Sequence, residues 1–441
     1  MRRGWIIKVL ILAVFLLGLG AAQAQKVAIT IQDYFDPAGG MAKFVDRWAE
    51  EYMKKNPDVE VKHVFIPFAQ LLPTILQQAL TNTLPEVIMA DNPWVPNLIK
   101  AGVYLDITDR VKEWGWENWE DFFKGHRDLT SSEGKIYAFQ ITTNNLALFY
   151  RKSILDKAGI AELPKTWEEL KSVSAKIKEA TGAYGFGFCA TSSEEGTWQF
   201  EPFLWSNGGS LLELDQKEAV EALAFLTEMV EKGYAPRDVV NVSGQGDVTQ
   251  WFINGEVAMM ENGNWEFGWH LTPDVLEQLG DVGVAALPVP REGLKPIVPF
   301  GGECYGIGAN TTDPKKLEVA WEFLSYMAST DGMFDANLEH GGLPTRASAA
   351  AKIGAQKPIL APFLEQAKYA LPRPLVGGGE KYPEVSSTIW TAMQRALTGA
   401  KTPEEALKEA AEAIRGLFSP EEYEVYKKQA RELVQAAASG K

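Results

Sequence analysis

An acid and an indole stand three residues apart in the segment 85–108, PEVIMADNPWVPNLIKAGVYLDIT. Asp91 closes a short apolar run at 87–90, and Trp94 lies in the loop bracketed by Pro93 and Pro96. A short apolar run bounded by turn residues reads as a buried strand. The helical turn after it ends at Ala101-Gly102, with Gly102 placed to cap its C-terminus. Open α/β sheets bind ligands at the carboxyl ends of their strands. A carboxylate accepts hydrogen bonds from two neighbouring hydroxyls, and an indole face covers an apolar C–H surface. Sugars present both kinds of surface. The segment also fits a plain strand–loop–helix connection with a buried Trp and an Asx-turn.

Other chemistry is sparse. No G-x-S-x-G, H-E-x-x-H or G-x-x-x-x-G-K-[ST] motif occurs. Gly185-Phe186-Gly187 lies inside a strand pattern and is no dinucleotide loop. Glu194, Glu195, Glu201 and Glu303 could supply a glycosidase pair, which needs carboxyls about 5–9 Å apart. In a chain with 58 Asp and Glu, surface or ligand-binding acids are the commoner outcome. His63, His126, His270 and His340 are scattered without zinc spacing, so neither metal nor cofactor is expected. Cys189 and Cys304 are either a disulfide, which needs Cα atoms within about 7 Å, or two separate buried thiols.

The elements that must hold these groups follow from periodicity. Strands are predicted at 26–31, 59–65 and 87–90, with amphipathic helices from Met41 to Tyr52 and from Phe68 to Leu80 between them. This β-α-β-α-β order implies a parallel sheet with right-handed crossovers. The aromatics Trp114, Trp116, Trp119, Phe122 and Phe123 form either a binding surface or, the preferred reading, a satellite packed on the sheet. Strands follow at 135–139, 146–150, 184–189, 257–260, 282–286 and 300–307. Helices are predicted at 198–206, 217–231, 248–253, 265–271 and 315–327. Thr166 with Glu169, Thr402 with Glu405 and Ser419 with Glu422 are capping boxes, and the chain after Gly341-Gly342 is mostly helix.

The compartment is written at the start. Arg2, Arg3 and Lys8 precede an apolar stretch at 9–19 and an Ala22-Gln23-Ala24 cleavage site, so residues 1–24 read as a secretory signal peptide. No cysteine follows to take a lipid, and a periplasmic protein is expected. Losing the three cations takes the formal charge from −15 to −18. Such a surface repels nucleic acid and anionic lipid. The remaining length exceeds what one hydrophobic core usually supports, which implies two lobes.

Taken together, several pieces resemble the extracellular solute-binding proteins of sugar ABC importers, family 1, of the maltose/trehalose-binding type. They are the segment quoted above, TTNNLALFYRKSIL, LPKTWEEL, WFINGEVAMMENGNW, FGGECYGIGANTTDPKKLEVAWEFLSYM and PRPLVGGGEKYPEVSSTIWTAMQRALTG. The resemblance implies a periplasmic binding protein-like α/β fold, two lobes joined by a hinge with the cleft between them. By analogy the crossings fall near 139–142, 299–303 and 339–343. One lobe then takes 25–141 with 303–340, and the other 142–302 with 341–441. The resemblance further implies a monomeric, non-enzymatic protein. It would capture a di- or oligosaccharide by hinge closure and deliver it to ABC permease subunits; the same fold with a glycerophosphodiester, or a secreted glycosidase, is the alternative. Matching the family's motifs residue by residue, the implied ligand contacts are Asp33, Tyr34, Phe68, Asp91, Trp94, Asn144, Asn145, Trp198, Trp265, Gly302, Glu303 and Arg373. Trp390 is a further candidate that could simply pack its helix. Asn144 stands where maltose-binding members carry an acid, which separates this chain from a maltose assignment.

Overall fold

Val27, Ile29 and Ile31 alternate with Ala28, Thr30 and Gln32, and that period of two makes the strand Val27–Asp33. The computed structural model describes residues 26–367 and 370–439. The signal peptide expected at 1–24 lies outside the described residues. No described helix is long and apolar enough to cross a membrane.

Val27–Asp33 pairs in parallel with Val59–Phe65 on one side and Val87–Asp91 on the other. The helices Gly40–Lys55 and Phe68–Thr81 make the crossovers, as the alternating pattern requires. Val87–Asp91 is buried along its whole length, the usual state of a continuous apolar run in a parallel sheet. Its other neighbour comes from far along the chain. Glu303–Ile307 runs antiparallel to it, with Glu303 opposite Asp91, and Ala138–Gln140 closes that edge. A second sheet has the order Val282–Ala285, Leu146–Arg151, Val257–Gly263, Tyr184–Gly187 and is antiparallel except for its last pair.

Each sheet carries its own core. Phe44, Leu71, Met89, Phe139, Tyr305 and Phe323 belong to the first. Phe186, Phe203, Leu226, Ile389, Leu407 and Ile414 belong to the second, so the helices Tyr382–Leu397 and Pro403–Arg415 pack there. Ala349 joins the first core, and Arg346 pairs with Asp121 beside it. Trp114, Trp119 and Phe122 pack on Phe139 at centroid distances of 5.5–5.9 Å. That is the satellite expected of this segment, although Trp116 and Phe123 stay exposed. The thiols of Cys189 and Cys304 are free and buried in separate cores, which removes the disulfide alternative.

Local signals set the helix ends. Thr166 and Thr402 form reciprocal capping boxes, and Ser419 exchanges the same two bonds with Glu422. The helix expected at 198–206 begins four residues earlier, as Glu194–Ser206, because the Ser193 hydroxyl accepts the Glu195 N–H. The helix expected at 265–271 is a single turn, Glu266–Trp269.

Among the described residues, three stretches of chain pass from one sheet towards the other, and they pair with one another. Thr142–Thr143 pairs with Leu343–Pro344, and Asn144 bridges Gly301. Gly302 lies in this bundle at φ +126°, where a Cβ would stand 2.0 Å from the Thr142 carbonyl oxygen. Both the dihedral and the close approach demand glycine.

At the rim of the first sheet, His63 lies between Asp33, 2.9 Å from Nε2, and Asp46, 2.7 Å from Nδ1. Burial opposes the imidazolium charge, yet the two carboxylates raise its pKa to about 9. A base whose pKa is raised on folding stabilises fully below its unfolded value and loses that contribution as pH climbs through the folded one. Stability from this group therefore declines between about pH 6.5 and 9, by roughly 3 kcal/mol at most. Thermal melts across that window are expected to slope downward, and His63→Gln to flatten part of the slope; an unchanged slope in the variant would refute the assignment.

Candidate functional site

The carboxyl ends of the first sheet's strands open onto a cavity of about 140 Å³. Asp91 and Glu303 reach it as cross-strand neighbours on Val87–Asp91 and Glu303–Ile307. Tyr34, one residue past the strand Val27–Asp33, donates its hydroxyl to Glu303 Oε1. Its ring meets Phe68 edge to face at 5.0 Å. From the second body come Glu194 and Glu195 in the first turn of Glu194–Ser206, with Trp198 one turn on. The acids sit at the positive end of that helix. Trp265 follows the strand Val257–Gly263 and lies 6.3 Å from Trp198. Asn144, Gln245, Trp269 and His340 complete the wall.

Arg373 ties the two sides together. Nη2 donates to Asp91 at 3.0 Å and to Asn92 Oδ1 at 2.8 Å, while Nη1 donates to Glu194 at 2.5 Å. The guanidinium lies 4.3 Å from the Trp198 ring centroid, in cation–π contact. Glu194 also accepts the hydroxyls of Tyr382, at 2.7 Å, and Ser386. The side chain of Arg373 is 3 % exposed, so its charge depends on these carboxylates. Burial disfavours the charge, but Asp91 and Glu194 raise the pKa above the ordinary guanidinium value.

Burial dominates the other acids. It lifts Asp91 to about 6 against the pull of Arg373. It lifts Glu195 to about 7 and, despite the Tyr34 hydroxyl, Glu303 to about 8. His340 goes the other way: burial lowers it to about 3, so the ring is neutral at pH 7. Several polar atoms here have no protein partner, among them Trp198 Nε1, Trp269 Nε1, Glu303 Oε2, Arg373 Nε and both ring nitrogens of His340. A wall of indole faces interrupted by acceptors and donors can hold a molecule with alternating C–H faces and hydroxyls. Asp91 and Glu194 are both engaged by Arg373.

Of the twelve residues singled out in the sequence, eight line the cavity: Tyr34, Phe68, Asp91, Asn144, Trp198, Trp265, Glu303 and Arg373. Four do not. The Asp33 carboxylate is consumed by His63, Tyr305 and the Phe35 N–H. Trp94 stacks behind Phe68 at 5.2 Å and backs it. Asn145 donates its side-chain amide to the Phe363 carbonyl, and its backbone N–H bonds Asn264. Gly302 gives its carbonyl to the Asn92 N–H and shapes the chain crossing. Trp390 lies along Tyr382–Leu397 away from the cavity wall. Among the missed residues, Glu194 and Glu195 were visible as acids without an assigned place. Trp269, one turn after Trp265, and His340, beside an expected crossing, carried a signal; Gln245 carried none.

Residues 37–334 match the family described as bacterial extracellular solute-binding protein. A candidate binding protein of Brucella abortus (strain 2308) is 26% identical over 412 residues, covering 89% of this chain and 93% of the relative. The sn-glycerol-3-phosphate-binding periplasmic protein UgpB of Shigella flexneri is 26% identical over 260 residues, 55% of this chain and 58% of that protein. Among solved structures, maltose-bound MalE3 of T. maritima has TM-score 0.79 at 27% identity, covering 89% of this chain and all of that one. An ABC transporter solute-binding protein from Thermotoga lettingae, bound with α-D-tagatose, has TM-score 0.78 at 26% identity with the same coverage.

Proposed function

We propose that this chain, which belongs to the bacterial extracellular solute-binding proteins, captures a sugar or polyol by closing two lobes over the cavity and hands it to the permease of an ABC importer. The observation that carries this reading is the convergence of Asp91 and Glu303 from the first sheet with Trp198 and Trp265 from the second body on one cavity. A ligand touching both sides favours the closed form by its differential affinity for it. Hinge closure of this kind is a familiar device of periplasmic binding proteins. Ligand-bound relatives with maltose and with tagatose support the ligand class. The lobes would divide as the family pattern implies, 25–141 with 303–340 and 142–302 with 341–441. Ala347–Gln356 is the exception, riding on the first lobe through Ala349.

The cavity narrows the expectation of a di- or oligosaccharide. A cavity of about 150 Å³ in another protein accommodates one benzene ring. The present 140 Å³ is of that order, so the ligand is taken to be no larger than one pyranose ring or a short polyol, and a longer saccharide needs the lobes further apart. A phosphate ester, as in UgpB, is disfavoured because four carboxylates line the cavity against one guanidinium that two of them already engage. The acidic surface speaks against nucleic acid, and the protein is proposed to act as a monomer in the periplasm without catalysis.

Thermal shift against hexoses, pentitols, maltose and glycerol-3-phosphate tests this. At a thousandfold excess over Kd a ligand stabilises by about 4 kcal/mol, a rise of several degrees. A rise with a sugar or polyol, recovered intact afterwards, is expected. A rise with glycerol-3-phosphate alone, or cleavage of a saccharide, would refute the proposal.

A further inference from the structure

The carboxylates of the cavity are not equally satisfied. Arg373 is shared between Asp91 and Glu194. Glu195 accepts the backbone N–H of Gln245 at 3.3 Å. Glu303 holds the Tyr34 hydroxyl on one oxygen, and its other oxygen is buried without a protein partner. Among the described residues, no ion pair of the cavity reaches Glu195 or Glu303. The first stands at the N-terminus of Glu194–Ser206, the second on a strand of the first sheet, so the two face the cavity from opposite sides.

A second observation is independent of these acids. His340 is 1% exposed, lines the same cavity and has neither ring nitrogen bonded to protein. It offers one donor and one acceptor to a polar ligand. Tyr34, Trp265 and Trp269 add ring faces to the wall, and aromatic faces attract cations. Buried carboxylates are costly unless a cation or proton meets them. Burial holds both acids near neutrality, at about 7 for Glu195 and about 8 for Glu303, so each can exchange a proton for a cation at working pH.

We infer, resting on the sugar-or-polyol reading, that the preferred ligand carries a positively charged amine beside its hydroxyls, seated against Glu303 and Glu195. A neutral hydroxyl can donate to these oxygens but does not favour their ionised form as a cation does. The ammonium supplies charge and donors together.

Calorimetric titration at pH 7.5 separates the possibilities. The probes are glucosamine, galactosamine, mannosamine and chitosan dimer, each beside its neutral hydroxyl and N-acetyl counterparts, with maltose, tagatose and ribitol as neutral references. At least one amine is expected to bind tenfold or more tighter than both of its counterparts. Glu303→Gln and Glu195→Gln, checked for unchanged melting behaviour, are each expected to cut that preference to threefold or less. If one variant fails to fold, the other decides. Neutral compounds binding as tightly as their amines would overturn this inference and leave the sugar-or-polyol reading standing. A panel in which neither amine nor neutral compound binds would overturn both.

Discussion

Arg373→Ala opens the molecule before it unfolds it. The guanidinium bonds Asp91 at the end of the first sheet and Glu194 on the second body. Removing one member of a buried ion pair typically costs 3–5 kcal/mol, because the remaining charge is left uncompensated. Here the cost has an escape. The two carboxylates belong to different bodies, so separating them rehydrates both without dismantling either core. The free variant is expected to show a larger radius of gyration in X-ray scattering than the parent, with two intact cores by circular dichroism. Its affinity for the cognate ligand should fall at least a hundredfold. Arg373→Lys keeps a charge but cannot fork to Asp91, Asn92 and Glu194 together, and is expected to fall between. An Arg373→Ala variant that scatters like the parent and binds normally would show that this triad does not govern closure.

Trp265→Ala is expected to weaken binding about thirtyfold to a hundredfold, corresponding to the roughly 2–3 kcal/mol gained by burying a large apolar side chain. The indole lies over Gly263, where a Cβ would meet the ring at 1.8 Å. Its plane is therefore fixed from below, and it also lines the cavity beside Trp198, 6.3 Å away. Trp265 also touches the second core, so some loss of stability accompanies the change. Trp265→Phe keeps a ring on Gly263 and separates the effects: it should recover most of the stability and part of the affinity. Titration of the cognate ligand is the measurement, and equal affinity in the alanine variant would remove Trp265 from the site.

Much of this arrangement was legible in local sequence. The first three strands and two helices declared themselves by period, and the caps at Thr166, Thr402 and Ser419 placed three helix starts. Asp91, Trp265 and Arg373 reached the cavity because strand ends and short loops face it. Two of the four residues that do not line the cavity, Asp33 and Asn145, share a cause. Successive side chains of an extended chain point opposite ways. Tyr34 and Asn144 therefore line the cavity while their neighbours Asp33 and Asn145 turn into the protein. Which member of each pair faces inward depends on partners far away, such as Tyr305 for Asp33, 272 residues on. Nothing near Arg373 in the sequence announces its partners Asp91 and Glu194. The second sheet's pairing was equally hidden, since Val282–Ala285 and Leu146–Arg151 meet only after more than a hundred intervening residues.

The insertion of Glu303–Ile307 between Val87–Asp91 and Ala138–Gln140 sets a timetable for synthesis. Until residue 307 leaves the ribosome, the backbone groups along one side of Val87–Asp91 lack their partner, and the helices Pro314–Met327 and Thr330–His340 that cover that core do not yet exist. Long-range pairings of this sort are slow to form. The sheet formed by the first third of the polypeptide thus stays without one of its strands and part of its cover until more than two thirds of the chain has been made.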